Sequence, residues 1–496
     1  RQVSAFSSAT STLTVSSSFG LTPRPGQDRY CLTHLVSLIS GEGQWAVKDL
    51  GGGNYRLFVW ADGGGDPDVH TMEASRRLYS AIDTNNKPHW VIDNLEARHT
   101  QGHGIGNTGG SANAHYIIRN CVVHSNDTNG INGRLTDTLL QRNLVFNNTF
   151  GINAYLSDRV VVELNELAFN NDDALEITGS GDPEVWYEDF MVRRNSIHHQ
   201  ILWGHPDSMM IWNYLRNVTI EDNLLYAAGQ HAMLTNLLNV TITNNVMYGS
   251  YACALIVSGG GQVRPMGVTT RKNTIAMSCM MPVSHATDSY DHANNIIVAG
   301  NPAYCWGNID ETYDYTSDYN QFWHGPGLTA TPVVWDAHYG WTLAQYVADS
   351  GEDTHSTYGD PQFTNAPLYM IPLDTEARQD EYTTTKVYLW SYDATDYFAV
   401  GDHIEINSDG VVRTVTSVGS DYVTFTPGDD YIAIKCNTIA NWGENTNYAV
   451  DIAPQAAITG SDSLPVGSTI NVQEFLAGDF NGDGRRDVPE YPQPDE

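Results

Sequence analysis

Cations are what this chain has least of. Its 496 residues hold 25 Lys and Arg against 58 Asp and Glu, a formal charge of −33 with His neutral. A surface that binds nucleic acid needs clustered cations to displace the counterions of phosphate. Nucleic acid is therefore excluded as a partner, and so is docking on anionic lipid. Charged residues make up only 17% of the chain, below the usual quarter, so the acidity reflects missing Lys and Arg as much as added carboxylate. Cysteine is scarce too. Cys31, Cys121, Cys253, Cys279, Cys305 and Cys436 show no CxxC spacing, which leaves zinc, iron–sulfur and haem attachment unsupported. No run of 18 apolar residues exists, so no membrane-spanning segment is expected. What remains, 41% hydrophobic and 10% aromatic, is the composition of a folded chain with a large core. The sequence opens at Arg1 without a signal-peptide pattern and is expected to be a mature or trimmed chain.

A repeat dominates the middle of the sequence. Short apolar runs end in Asn and are followed by two or three more apolar residues, as in YIIRNCVV, TLLQRNLVF, MVRRNSIHH and VTIEDNLLY. The series is Asn94, Asn120, Asn143, Asn165, Asn195, Asn223, Asn245, Asn273, Asn295 and Asn320, at intervals of 22 to 30 residues. Strand-like alternation at that interval means one coil per repeat. A single coil cannot bury its apolar face, so coils must stack on a shared core. Asn suits a bend because it tolerates the left-handed region, and stacked Asn side chains can form an amide ladder.

This pattern resembles the right-handed parallel β-helix proteins, the architecture of pectate-lyase-like enzymes and alginate epimerases, over about residues 80–325. A later stretch, GEDTHSTYGDPQF at 351–363, is similar to the sequence that often closes bacterial extracellular β-helix proteins. The expected fold is all-β. Residues 1–80 form an N-terminal cap and first irregular coils, and 81–375 the β-helix. Residues 376–440 alternate with period two between Gly/Asp turns and form a small antiparallel β-barrel or sandwich. Residues 441–470 are a return segment or linker, and 471–496 a calcium loop and tail.

That loop reads GDFNGDGRRDVPE. Asp479, Asn481 and Asp483 fall at positions one, three and five of an EF-hand-type loop, with Gly484 at the turn. Arg485 offers its carbonyl at seven, Asp487 sits at nine and Glu490 at twelve. The motif resembles one half of a dockerin repeat and implies Ca2+ as the cofactor.

Aligning coils on the apolar pair after each bend sets Gly151-Ile152, Ala174-Leu175, Ser208-Met209 and Ala232-Met233 in register. This places Asp173, Asp207 and His231 in one column, Asp172 beside them, and Arg134, Asn132, Asn153, Tyr155 and Glu176 facing outward. Trp203 and His205 add to one edge, and the insertion carrying Trp186 and Tyr187 can wall a groove. Neighbouring coils lie roughly 4.8 Å apart, so stacked carboxylates cannot both ionise freely and one can act as general acid. That suits glycoside hydrolysis. Alternatively Asp172, Asp173 and Asp207 hold a calcium that neutralises a uronate, and His205, Tyr155 or Arg134 removes the adjacent proton. His205-Pro206-Asp207 has the composition of the DPH-type motif of alginate epimerases in a different order, so the resemblance transfers no mechanism. The bland reading is turn chemistry for the Asp and Asn residues and scattered bend positions for His99, His103, His198, His199 and His231. Cys253 and Cys279 read as one column, able to form a disulfide or to pack as small hydrophobes.

Two functions follow as expectations. One is a secreted, calcium-stabilised, polysaccharide-active enzyme (lyase, epimerase or glycoside hydrolase), extracellular or on the cell surface, with a polysaccharide or cell-surface glycan as partner. The other is a non-catalytic structural, adhesive or filament-forming β-helix protein, self-associating through its solenoid ends.

Overall fold

A computed structural model describes residues 80–107, 114–200, 206–258, 266–286, 289–301, 305–309, 314–325, 333–335, 338–374, 383–428 and 437–447. It also describes the backbone of strands Val3–Ser7, Thr12–Val15, Trp45–Gly51, Asn54–Val59 and Asp451–Pro454. The calcium-loop residues Asp479, Asn481, Asp483, Arg485, Asp487 and Glu490 lie outside the described residues, as does His205. Residues 1–76 cluster as a unit of their own. In it, Val3–Ser7 pairs antiparallel with Thr12–Val15, and Trp45–Gly51 with Asn54–Val59.

From Ser80 onward the chain winds as a parallel β-helix. The coil at the centre shows the unit: Phe150–Tyr155, Val160–Glu163 and Glu166–Ala168. First and second strands of successive coils build a twenty-stranded sheet, and third strands build an eleven-stranded one. In two coils the first and second strands fuse into the long strands Asp207–Glu221 and Gln230–Thr243. Parallel pairing in strict register stacks like on like. Ile131, Ile152, Leu175, Met209, Ala232, Leu255 and Val283 form one inward column. Val123, Val145, Leu167, Ile197, Leu225, Met247, Ile275, Ile297 and Phe322 form another. All are buried, and no coil could bury them without its neighbours.

The corner between second and third strands explains the Asn series and corrects its geometry. The left-handed residue is the one before the Asn: Arg142, Leu164, Arg194, Asp222, Asn244, Lys272 and Asn294 have φ of 53–58°. The Asn itself then turns inward. From Asn143 to Asn320, each Nδ2 donates to Oδ1 of the Asn one coil on, at 2.9–3.2 Å. Asn320 ends the run by donating to Asp353 Oδ1 at 3.0 Å, so the 351–363 stretch supplies the ladder's last acceptor. Asn94 and Asn120 are different. They occupy the left-handed position themselves (φ 56° and 51°), and Cys121 takes the ladder position, its N–H donating to Asn143 Oδ1.

A second ladder, at the corner after the third strand, was not legible in the repeat. Asn126 Nδ2 donates to Asn148 Oδ1, and Asn148 Nδ2 to Asn170 Oδ1. The Asn170 N–H donates to Gln200 Oε1. Next to it, Gly151 has no room for a side chain: a Cβ there would lie 2.4 Å from the Ala174 carbonyl oxygen.

Tyr369–Pro372, Lys386–Tyr388, His403–Ile406, Arg413–Val418, Tyr422–Thr426 and Thr438–Gly443 form a six-stranded antiparallel sheet. A bridge between Leu373 and Leu389 joins its two edge strands and closes it into a barrel. Its core includes Ile371, Val387, Ile404, Val415, Phe425 and Ile439. Barrel residues Met370, Ala440 and Trp442 pack with Leu224, Tyr226, Val246 and Tyr248 of the third-strand sheet. One short helix, Leu343–Ser350, carries a capping box between Thr342 and Gln345.

Candidate functional site

The outer surface of the first strands gathers most of the predicted site residues. Asn129, Phe150, Asp173 and Asp207 sit two residues before the inward-column residues Ile131, Ile152, Leu175 and Met209. Asn129 pairs with Phe150 and Asp207 with Gln230. The Asp207 N–H donates to Asp173 Oδ1 at 3.1 Å, and Asp207 O accepts from the Ala174 N–H at 3.0 Å. The expected juxtaposition of Asp173 and Asp207 is therefore present.

His231 does not join them. Met209 pairs with Ala232, not Met233, so the register is one residue away from the expected one and His231 falls beside Ser208 and Ala254. A one-residue slip exchanges the two faces of a strand. His231 is fully buried, with Nδ1 3.2 Å from Ser208 Oγ and Nε2 3.0 Å from the Tyr248 carbonyl. Burial pushes it down to about 3, so it stays neutral inside. A separate two-residue difference in register parts the cysteines, since one shared column would need Leu255 to pair with Met281. Val283 pairs with Leu255, Cys279 lies at the end of the third strand, and Cys253 and Cys279 are both free thiols.

Beside the aspartates runs the column Asn132, Asn153, Glu176 and Met210. Tyr155, Thr178, Trp212 and Thr235 form the next. Glu176 is half-buried, gripped from both neighbouring coils. Asn153 Nδ2 donates to one oxygen, and Trp212 Nε1 donates to the other at 3.2 Å. Burial raises its proton affinity, the Trp212 N–H opposes this, and the negative charge of Asp172 adds to it. Asp173 is pushed up to about 8, by burial first and then by the negative charges of Asp207, Asp172 and Glu176. Asp173 is 4% exposed and Asp207 0%, so Glu176 is the accessible carboxyl of the set, with Asp172 half-exposed beside it.

Arg134 follows Gly133 at the end of its strand. Among the described residues it has no ion pair, and its buried Nε has no hydrogen-bond partner. Arg119, Arg159, Arg193, Arg216 and Arg271 are all paired with carboxylates. Upstream, His103 Nε2 accepts from Asn132 Nδ2 at 3.1 Å, and its Nδ1 lies 2.8 Å from Thr128 Oγ1. It is a positioned member of the face, not an isolated bend residue.

Tyr187 begins a second strand, and Trp186 just before it lies edge-on to Tyr214 at 5.6 Å. Trp212 was missed in the sequence, although alternation from Met209 (inward) through Met210 and Ile211 puts it outward. Among the described residues no group of three or more His, Cys, Asp or Glu side chains is arranged to hold a metal ion, and Asp172, Asp173 and Asp207 form no such group. No described helix is long and apolar enough to cross a membrane.

Residues 80–302 match the family described as "Right handed beta helix region". No curated protein matches the chain. Among solved structures, the chain is similar to XylC in complex with xylose (10% identity, TM-score 0.37), covering 71% of this chain and 66% of that one. It is also similar to the A-module of the Azotobacter vinelandii mannuronan C-5 epimerase AlgE4 (11%, TM-score 0.33), covering 54% and 81%. A third is tailspike gp49 of Acinetobacter baumannii bacteriophage Fri1, a capsular polysaccharide depolymerase (11%, TM-score 0.34), covering 75% and 82%.

Proposed function

We propose that the outer face of the first strands binds a glycan and hydrolyses a glycosidic bond, with Glu176 as proton donor. The observation that carries this reading is the grip on Glu176. An accessible carboxyl is held between coils by Asn153 and Trp212, and its proton affinity is raised by burial and by Asp172. Glycoside hydrolysis needs one carboxyl that keeps its proton and one that does not. Asp172, acting on Glu176 as a negative charge, is the second. Asp173 and Asp207 lie too deep to touch a sugar. Trp212 and Tyr155 provide ring surface along the same line, and Arg134 offers hydrogen-bond donors to a hydroxyl or an anionic substituent.

Glu176→Gln is expected to lower turnover by about 10²- to 10⁴-fold on whichever neutral or acidic glycan the protein cleaves, read as new reducing ends. Product absorbing as an unsaturated sugar would instead mark β-elimination. The burial of Asp173 and Asp207 favours a second reading, a glycan-binding or structural β-helix without catalysis. It predicts no cleavage by the parent chain, with binding on a glycan array that Trp212→Ala abolishes.

The proposal includes an extracellular or cell-surface location and calcium held by Asp479, Asn481, Asp483, Asp487 and Glu490, with the Arg485 carbonyl. Calcium titrated calorimetrically into the chelated protein should bind at one site, and Asp483→Ala should abolish that heat. Unchanged heat would remove calcium from the proposal.

A further inference from the structure

The outer face of the third-strand sheet is buried beneath the barrel, and one polar chain crosses that joint. Glu166 Oε1 lies 3.1 Å from His198 Nε2, both side chains 1% exposed. His198 Nδ1 lies 2.8 Å from His199 Nδ1. His199 Nε2 in turn reaches the Ser408 carbonyl of the barrel at 3.4 Å. His199 takes a left-handed φ of 55°, which brings its ring beside that of His198. Phe169 stacks on His199 at 4.8 Å and Tyr226 on His198 at 4.7 Å.

Counting hydrogens decides the charge. A carbonyl oxygen only accepts, so His199 Nε2 carries a hydrogen. If both rings are neutral, His199 Nδ1 is an acceptor, and the hydrogen between the two Nδ1 atoms belongs to His198. His198 Nε2 then presents a lone pair to Glu166, and a carboxylate there would set lone pair against lone pair. The contact needs a third hydrogen. We infer that Glu166 holds it as a carboxylic acid, so that Glu166, His198 and His199 form a charge-neutral relay that latches the barrel to the solenoid and loosens when that hydrogen is lost in alkali. Placing the same hydrogen on His198 would bury an imidazolium and a carboxylate together, at a desolvation cost their attraction must first overcome. Burial also pushes His198 down to about 3 and His199 well below its ordinary value.

The other titratable groups around the joint are Tyr226, Tyr248 and Cys279 on the solenoid and Glu405, Asp409 and Arg413 on the barrel. Burial raises Tyr226, Tyr248 and Cys279. Glu405 is raised to about 8 by burial and by Asp409, while Asp409 and Arg413 pair at 2.7 Å. Glu405 is thus the group whose titration must be separated from that of Glu166.

Nitrogen spectra of 15N-histidine-labelled protein at neutral pH should show His198 as the Nδ1–H tautomer and His199 as the Nε2–H tautomer. Glu166→Gln keeps a donor toward His198 Nε2 without an ionisable hydrogen. It is expected to melt with the parent at neutral pH and to lose part of the parent's fall in Tm as the pH is raised. Glu405→Gln should remove a separate share, the two reductions adding in the double variant. A doubly protonated His198 would overturn the relay, and so would a Glu166→Gln protein that melts lower at neutral pH with the parent's full alkaline fall. The tautomer spectra decide the matter if the variant does not fold.

Discussion

Asn245→Ala is expected to destabilise the protein by about 3–6 kcal/mol, because it strands several buried polar groups at once. Asn245 Nδ2 donates to the Ile220 carbonyl at 2.9 Å and to Asn273 Oδ1 at 3.0 Å. Its Oδ1 accepts from the backbone N–H and the Nδ2 of Asn223, at 3.0 and 2.9 Å. Alanine leaves all of these inside the solenoid, where no water replaces the lost partner. A loss of that size is comparable to the whole stability of many domains, so the variant should unfold at a much lower urea midpoint or fail to accumulate folded. Asn120 is the control. It belongs to the same sequence series but sits at the left-handed corner position with its side chain on Asp93. Asn120→Gly, which suits that backbone, should shift the midpoint little, whereas Asn245→Gly should be as damaging as alanine. Equal effects at the two sites would mean that the ladder carries no stability of its own.

That contrast shows what the sequence could reveal. The period of the repeat and its apolar pairs were visible because every coil must satisfy the same corner and the same core. The exact role of each Asn was not, since the left-handed residue varies freely (Arg142, Leu164, Lys272) and only the inward amide is constrained. The second ladder escaped notice because it passes from Asn170 to Gln200 and then ends, so no single residue type repeats. The barrel was legible from period-two alternation, while the two-turn helix was marked only by the Thr342–Gln345 capping box. At the candidate site, Asp173 and Asp207 were brought together correctly because Leu175 and Met209 are unambiguous inward neighbours. His231 was misplaced because Ala232 and Met233 are both apolar, and nothing local says which one faces inward. The burial of Asp173, and with it the shift of attention to Glu176 and Trp212, depends on packing across coils that a linear pattern does not contain.

Stability should depend on pH in two opposing ways, and the sign of each follows from burial. His198, His199, His231, His285 and His292 are held neutral in the folded state, His198, His231 and His285 at about 3 and the other two well below the ordinary value, all chiefly by desolvation. Asp173 and Glu405 are held protonated to about 8, and Asp353 to about 6, again mainly by burial. Above about pH 6.5 the histidines are neutral folded or unfolded and drop out. There the two carboxyls keep protons that the unfolded chain releases, so stability increases as pH falls through 8, by up to about 1.4 kcal/mol per pH unit for each. Below about 6.5 the unfolded histidines take up protons that the folded ones refuse, and stability is lost. The carboxyls, now including Asp353, continue to gain until the pH reaches their unfolded values, so their three gains offset part of the five losses and Tm should fall only gently. Once the unfolded carboxyls are also protonated, only the histidine loss remains. Stability then falls by about 7 kcal/mol per pH unit for the five rings together. Exposed carboxylates held low by arginine, such as Asp93 and Asp137, act in the same direction there. Calorimetric melting across the acid range should therefore show a shallow decline followed by a steep acid limb. His285→Phe preserves the ring stacked on Tyr290 at 4.4 Å but cannot take a proton, so it should make that limb shallower by about a fifth without moving the alkaline one. A limb that begins at full slope at the ordinary histidine value would show that Asp173, Glu405 and Asp353 are ionised in the folded protein, and a limb unchanged by His285→Phe would show that its ring is not the sealed group its burial implies.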